Sequence, residues 1–470
     1  MTCFINNQFQ KGTGKEFSSI NPSNQEIIWQ GKAASNEQVS EAVSAARKAF
    51  KPWSKLSLEQ RLCFIEKYQT LLEENQDNLA GLISQEMGKN LNDAKLEVKI
   101  MLGKFKTALD AYHQRTGTQE KHINESISLT KHKAHGVCAV FGPYNFPGHI
   151  PNGHIIPALI AGNTIVFKPS NYVPKFSEEW IKLFQEAGFP EGIVNMVQGE
   201  ALTGEALSKN QDINALFFTG SSRVGEILHK SMAGKLDKVL ALELGGNNAL
   251  VIDSDYDLDQ AVELAVNSAF ISNGQRCTCA RRIIVIDEND FADKFVKAFV
   301  HKVNAIEIDK PEAGKFMSCL ISKEQAQLVL DKQEEYQING AKLLLEATEL
   351  PLGPAFISPS IIEINKYDAD EEVFGPFVKI YRAKDLQEAI KLANNTRYGL
   401  VSAIVTKSKE HFDEFYAEIN TGLINWNTAT TGAMGIAPFG GTGLSGNHRP
   451  SGYYAADYCA YPVASVINQS

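Results

Sequence analysis

The chain has 470 residues, 43% hydrophobic and 21% charged, which describes a globular protein too long for one core and so built of two or more domains. A formal net charge of −9 excludes a general polyanion binder, because neutralising phosphates needs a basic surface. No apolar run is long enough to span a bilayer, the N-terminus lacks a secretory pattern, and the seven scattered cysteines do not form a disulfide framework, so a cytoplasmic protein with neither nucleic acid nor membrane as partner is expected.

Ser35 with Gln38 makes a capping box, and Val39, Ala42, Val43, Ala46 and Phe50 follow at helical spacing up to Pro52, which is expected to stop the helix. Ser57 with Gln60 opens a second helix along Leu62, Ile65 and Leu72. From residue 136 the pattern changes. "GVCAVFG", "TIVFK", "GIVNMV" and "ALFFTG" are short apolar runs, separated by helical stretches near "IIPALIAG", "EEWIKLFQEAG" and "GEALSK". This alternation predicts an α/β fold with a doubly wound parallel sheet, whose ligands sit at the carboxyl ends of the strands. The loops "FGPYNFP", "FKPSN" and "FFTGSSRVG" are then strand ends facing one crevice. A second alternating unit starts at "NALVI". Its first helix carries Leu258, Ala261, Val262, Ala265, Val266, Ala269 and Phe270 on one side.

Two stretches compete as dinucleotide sites. "GTGLSG" at 441–446 is a literal G-x-G-x-x-G, but no strand precedes it and no helix follows, so a Gly-rich turn is the better reading. "LFFTGSSRVG" has the right context: a strand, a turn at Gly220 and Ser221, then a helix whose free N–H groups suit a pyrophosphate.

In "NGQRCTCARR" two cysteines stand one residue apart. A zinc site needs a second Cys or His pair, a bridge over this spacing is strained, and Arg276, Arg281 and Arg282 oppose a cation, so no metal is expected. Two buried structural thiols remain possible. The arginines favour instead a thiolate of lowered pKa. A nucleophilic cysteine needs a base, and Glu243, at the end of an apolar strand in "LELGG", is a candidate.

"GPYNFP", "FKPS", "FTGS", "LELGGNN", "GQRC", "EEVFGP" and "PFGG" occur here in the order and spacing of the aldehyde dehydrogenase superfamily, and the chain resembles that family over nearly its whole length. The resemblance implies Cys277 as nucleophile, Glu243 as the base that activates the deacylating water, and Asn145 with the Cys277 N–H as oxyanion donors. It implies NAD as cofactor, held by Lys168, by the Gly220, Ser221, Ser222, Arg223, Val224, Gly225 turn, and by Glu372 with Phe374. Asn171 stands where many NAD-preferring members carry Glu, so NADP is also admitted. It implies a cofactor domain over 1–112 and 135–244, a catalytic domain over 245–440, and an oligomerisation segment from 113–134 and 441–470. "SISLTKH" is expected there as an edge hairpin pairing across a homodimer or homotetramer boundary.

The substrate implied is a small aldehyde with two carboxylates. The backbone N–H groups of Gly432 and Ala433, helped by Thr278, are expected to meet the near carboxylate. Arg276, Arg115 or Arg449, with His448 beside it, are the candidates for the far one. Other acidic semialdehydes, a coenzyme A acylating enzyme and a non-catalytic protein of the same fold are the competing readings.

Overall fold

Two seven-stranded sheets organise the chain in the computed structural model, which describes residues 1–366 and 368–468. The first sheet runs in the order Val239–Glu243, Ala215–Thr219, Val137–Phe141, Thr164–Lys168, Val194–Val197, Cys3–Ile5, Gln8–Gln10. Its first five strands are parallel, and the two N-terminal strands are antiparallel. Val137–Phe141 is buried along its whole length because helices cover both faces. Cys138 and Val140 enter one core, while Val137, Ala139 and Phe141 enter the other. That two-sided burial is why the strand reads as one apolar run.

The second sheet is built the same way, in the order Lys342–Leu345, Ser360–Glu363, Phe377–Ala383, Ala280–Ile286, Asn248–Ile252, Val401–Val405, Leu423–Trp426. The helix Leu258–Phe270 packs Ala261, Val262, Ala265, Val266, Ala269 and Phe270 into its core, as the spacing predicts.

Two expectations are corrected. The first long helix, Asn36–Ser54, runs through Pro52. Proline there lies in the last turn, where little helix remains to be broken, and the N–H of Lys55 still bonds back to the Pro52 carbonyl. "SISLTKH" is not an edge. Its strand, Ser126–Ala134, is the centre of a three-stranded sheet, between Gln119–Ile123 and the C-terminal Ala460–Asn468. The two-residue turn at Asn124-Glu125 closes the hairpin on one side, and the chain's own C-terminus takes the other.

The strand ends set the site. Phe141 pairs with Lys168, Phe218 with Phe141, and Thr219 with Glu243, so the loops that follow all open along one edge of the first sheet.

Candidate active site

Cys277 follows a strained approach. The helix Leu258–Phe270 ends in a short 3-10 turn where Ser272, Asn273 and Gly274 all take positive φ, at 51°, 60° and 68°. A Cβ on Gly274 would stand 2.1 Å from the Gly375 carbonyl oxygen, so only glycine fits against that loop. Strain of this kind persists where surrounding bonds over-determine it. Here the Asn273 amide donates to the Cys319 carbonyl and its oxygen accepts from the Ser318 N–H. After the turn, the Asn248 amide donates to the carbonyls of both Cys277 and Cys279, at 2.6 and 2.9 Å. Cys277 is thus clamped on both sides.

The two cysteines separate cleanly. Cys277 is partly exposed in a cavity of about 340 Å³ that it shares with Glu243, Arg276, Thr278 and Ala433. Cys279 is fully buried, its sulfur 3.8 Å from the Ile271 carbonyl oxygen. The arginines do not act as the sequence suggested. Arg282 donates to the carbonyls of Asn247, Leu392 and Ala393 and braces the second sheet. Arg281 bonds the Gly375 and Arg276 carbonyls and lies 3.6 Å from Glu372. Arg276 donates to the Ser272 hydroxyl. Burial first, and then the facing Glu243 carboxylate, hold the Cys277 thiol well above its ordinary range.

Glu243 ends its strand 1% exposed, and neither carboxylate oxygen is hydrogen-bonded. Burial raises its pKa to about 8. The Cys277 thiol and Thr219 hydroxyl that face it offset this in part, and Glu372 adds to it. The "GTGLSG" turn supports this strand rather than a cofactor: Gly446 bridges Glu243, and the Leu244 N–H bonds the Ser445 carbonyl.

Asn145 is buried beside the nucleophile turn and donates one amide hydrogen to the Gln275 carbonyl. Its own carbonyl accepts from Lys89 at 2.6 Å. Lys89 is fully buried and ion-paired to Glu97 at 2.7 Å, and Glu97 in turn accepts the N–H groups of Gly148 and His149 at the start of the helix His149–Ala161. This pair fixes the Asn145 loop. Sequence reading missed it, because eight residues separate the partners and no single-helix spacing joins them.

Of the predicted carboxylate donors, Arg276, Thr278 and Ala433 line the cavity. Arg115 and Arg449 do not. Arg115 makes a two-pronged bond to Asp457, at 2.6 and 2.5 Å, and lies over the Tyr454 ring. Arg449 donates to the Gly441 carbonyl, and neighbouring His448 is exposed. Both arginines hold the C-terminal segment in place. The N–H groups of Gly432 and Ala433 bond the Ala429 and Thr431 carbonyls, so this turn satisfies its own donors as it stands. Lys104 also lines the cavity and was not singled out from sequence. Among the described residues no group of three or more His, Cys, Asp or Glu side chains is placed to hold a metal, and no helix is long and apolar enough to cross a membrane.

The residues expected to hold a dinucleotide lie at strand ends of the first sheet and beside Gly245. Ser221 caps the helix Ser222–Met232, accepting from the Val224 N–H. A Cβ on Gly225 would strike Leu244 at 2.6 Å, so glycine lets this helix close on the sheet. Ser222 bonds the Leu444 carbonyl, and Arg223 is exposed. Lys168 is buried at the end of its strand, bonded among the described residues only to the Pro169 carbonyl, and burial lowers its pKa to about 8. Glu372 lies against Gly245, where a Cβ would stand 1.8 Å from its oxygen, and its Oε1 is buried without a hydrogen bond. Phe374 packs edge-on to Tyr144 and beneath Arg281. A helix N-terminus, a buried lysine and a carboxylate oxygen without a hydrogen bond fit a ligand that brings phosphates and hydroxyls.

The aldehyde dehydrogenase family model matches residues 9–462. The N-succinylglutamate 5-semialdehyde dehydrogenase of Serratia proteamaculans (strain 568) is 47% identical over 99% of this chain and 96% of its own length. A putative methylmalonate-semialdehyde dehydrogenase from Sinorhizobium meliloti 1021, solved with NAD, superposes at TM-score 0.93 with 26% identity, over 100% of this chain and 97% of that one. An NADP-dependent glyceraldehyde-3-phosphate dehydrogenase from Bacillus halodurans C-125, solved with NADP, also gives 0.93 and 26%, over 100% and 99%. With the paired sheets and the Cys277–Glu243 pocket, these matches place the chain in the aldehyde dehydrogenase family, as an NAD(P)-dependent aldehyde-oxidising enzyme.

Proposed function

We propose that the enzyme oxidises N-succinyl-L-glutamate 5-semialdehyde, an intermediate of arginine breakdown by succinylation, to N-succinyl-L-glutamate. The observation that carries this is the cavity over Cys277, where Arg276, Thr278 and Lys104 offer donors to an acidic substrate, read with the 47% likeness to a relative of that name. Cys277 attacks the aldehyde carbon as the thiolate, its proton passing to solvent in the cavity. The Cys277 N–H, which bonds no acceptor among the described residues, and the second amide hydrogen of Asn145 receive the developing oxyanion. A nicotinamide dinucleotide, which Lys168, the 220–225 turn and Glu372 would hold, would supply the hydride acceptor. Cys277 then carries the acyl group as a thioester, and Glu243 takes a proton from the water that hydrolyses it. Glu243 favours water over a thiol as acceptor, because a buried base beside the sulfur is what a water nucleophile needs.

The near carboxylate of this substrate lies about 5 Å from the aldehyde carbon and the far one about 10 Å, at the ~1.2 Å per bond of an extended chain. Arg276, next to the nucleophile, suits the near one, with Thr278 and the 431–435 turn. A panel of semialdehydes tests the reading. The succinylated substrate should exceed glutamate and succinate semialdehydes in kcat/KM by about 10²-fold, as for a gained charge pair. Equal values would promote the smaller acidic aldehydes.

Asn171 follows Lys168 and Ser170 at the strand end and leaves the ribose position uncharged. Asn171→Glu should shift the NAD/NADP ratio of kcat/KM toward NAD by about 10- to 100-fold, since a like charge would meet the 2′-phosphate. An unchanged ratio would place residue 171 away from the ribose. The seven free cysteines support a cytoplasmic home. Val466 and Tyr461, exposed on the outer strand Ala460–Asn468, support assembly of copies through that sheet.

A further inference from the structure

Among the described residues, Lys104 is a buried cation without a partner. It lies on the helix Leu91–Arg115, whose Asp93, Glu97, Ile100, Lys104 and Thr107 line the cavity with one face. Its side chain is within a residue only 8% exposed, and its Nζ packs on Gly153, where a Cβ would stand 3.4 Å away. Among the described residues Lys104 makes neither a hydrogen bond nor an ion pair. The acids nearby are already engaged. Glu97 is paired with Lys89, and Asp93 accepts from Ser272 and stands 3.9 Å from Arg276. Its other titratable neighbours, His149 and His154, are no anions: burial, with Lys104 itself contributing, holds both imidazoles below their ordinary range. A lysine so enclosed is normally paired.

We propose that Lys104 binds the carboxylate of the substrate remote from the aldehyde and so selects long acidic aldehydes; this rests on the substrate reading above. The spacing supports it. Asp93 touches the nucleophile turn through Ser272, and Lys104 lies eleven residues on, about 16 Å along the helix axis. Helical side chains lean toward the N-terminus, which brings the ammonium back toward the turn. That range suits a carboxylate about 10 Å from the reacting carbon and not one at about 5 Å. Burial lowers the Lys104 pKa to about 8, and a carboxylate beside it would restore its charge. The role escapes a search for arginines, which the bidentate geometry of carboxylate recognition otherwise favours.

The test compares parent, Lys104→Met and Lys104→Arg enzymes on N-succinylglutamate semialdehyde and its N-butyryl analogue, which has the same length without the far carboxylate. Calorimetric binding of N-succinylglutamate and N-butyrylglutamate to the dinucleotide-free protein gives a second readout. Lys104→Met should lower the succinyl-over-butyryl preference by about 10²-fold, mostly through KM, and in binding alike; Lys104→Arg should keep part of it. A preference that survives Lys104→Met in both readouts overturns the proposal. If the parent does not distinguish the two ligands, the substrate reading fails instead. Lys104 is then judged on succinate and adipate semialdehydes against uncharged aldehydes of equal length. Loss of the charge preference in Lys104→Met supports it, and a preference that persists, or is absent from the parent, overturns it.

Discussion

Cys277→Ala is expected to lower aldehyde oxidation by at least about 10⁴-fold, the scale on which a covalent nucleophile is lost, while the protein still binds its dinucleotide. Cys279→Ala should keep most of the activity. The contrast follows from where two sulfurs, one residue apart, are placed. Cys277 opens into the cavity opposite Glu243, whereas Cys279 is fully buried under the turn. Removing the Cys279 thiol leaves a small void, worth roughly 1 kcal/mol of stability. Cofactor binding followed by fluorescence, alongside turnover, separates the two variants. An active Cys277→Ala with an inactive Cys279→Ala would reverse the assignment.

What the sequence showed well was local. Capping boxes at Ser35 and Ser57, the strand-to-helix turn at Ser221, and the placement of Glu243 at a strand end each depend on residues within a few positions of one another, and each is found in the structure. What it hid was pairing at long range. Three arginines around the nucleophile looked like charge for a thiolate, yet Arg281 and Arg282 bond carbonyls from residues 247 to 393, and only the fold shows this. Arg115 looked free until Asp457, 342 residues away, met it. Lys89 sits in the short loop before the helix Leu91–Arg115, and Glu97 and Lys104 lie on that helix. All three are buried, and Glu97 meets the N–H groups at the start of the helix His149–Ala161, a long-range contact that no local pattern shows. The "SISLTKH" strand shows the same limit: alternation identified a strand but not whether its partners were in the same chain.

Glu243→Gln should acylate and then stall. Rapid mixing with aldehyde should give a burst of about one reduced cofactor per site, followed by a steady state slower by about 10²- to 10⁴-fold, the usual contribution of a general base. Loss of the burst together with turnover would give Glu243 an earlier role, in activating Cys277. The structure also fixes the sign of the pH dependence. Burial, reinforced by Glu372, places the Glu243 pKa at about 8, so below that pH the carboxyl holds its proton and cannot take one from water. Parent deacylation should therefore rise with pH through about 8, and in Glu243→Gln that rise should vanish. Cys277 and Glu243 face each other and titrate as a pair, so a profile of the acylation step reports both groups, and the deacylation step is the one to follow. Stability should move oppositely. Between the ordinary carboxylate range and about 8 the unfolded chain has lost this proton and the folded chain has kept it, so stability falls as pH rises across that window. Glutamine carries no such penalty. Its stability advantage over the parent should grow from acid toward pH 8, reaching on the order of a few kcal/mol and read as a rising difference in melting temperature. An advantage independent of pH would mean that Glu243 keeps an ordinary pKa in its pocket, and a different group would then have to supply the alkaline rise in deacylation.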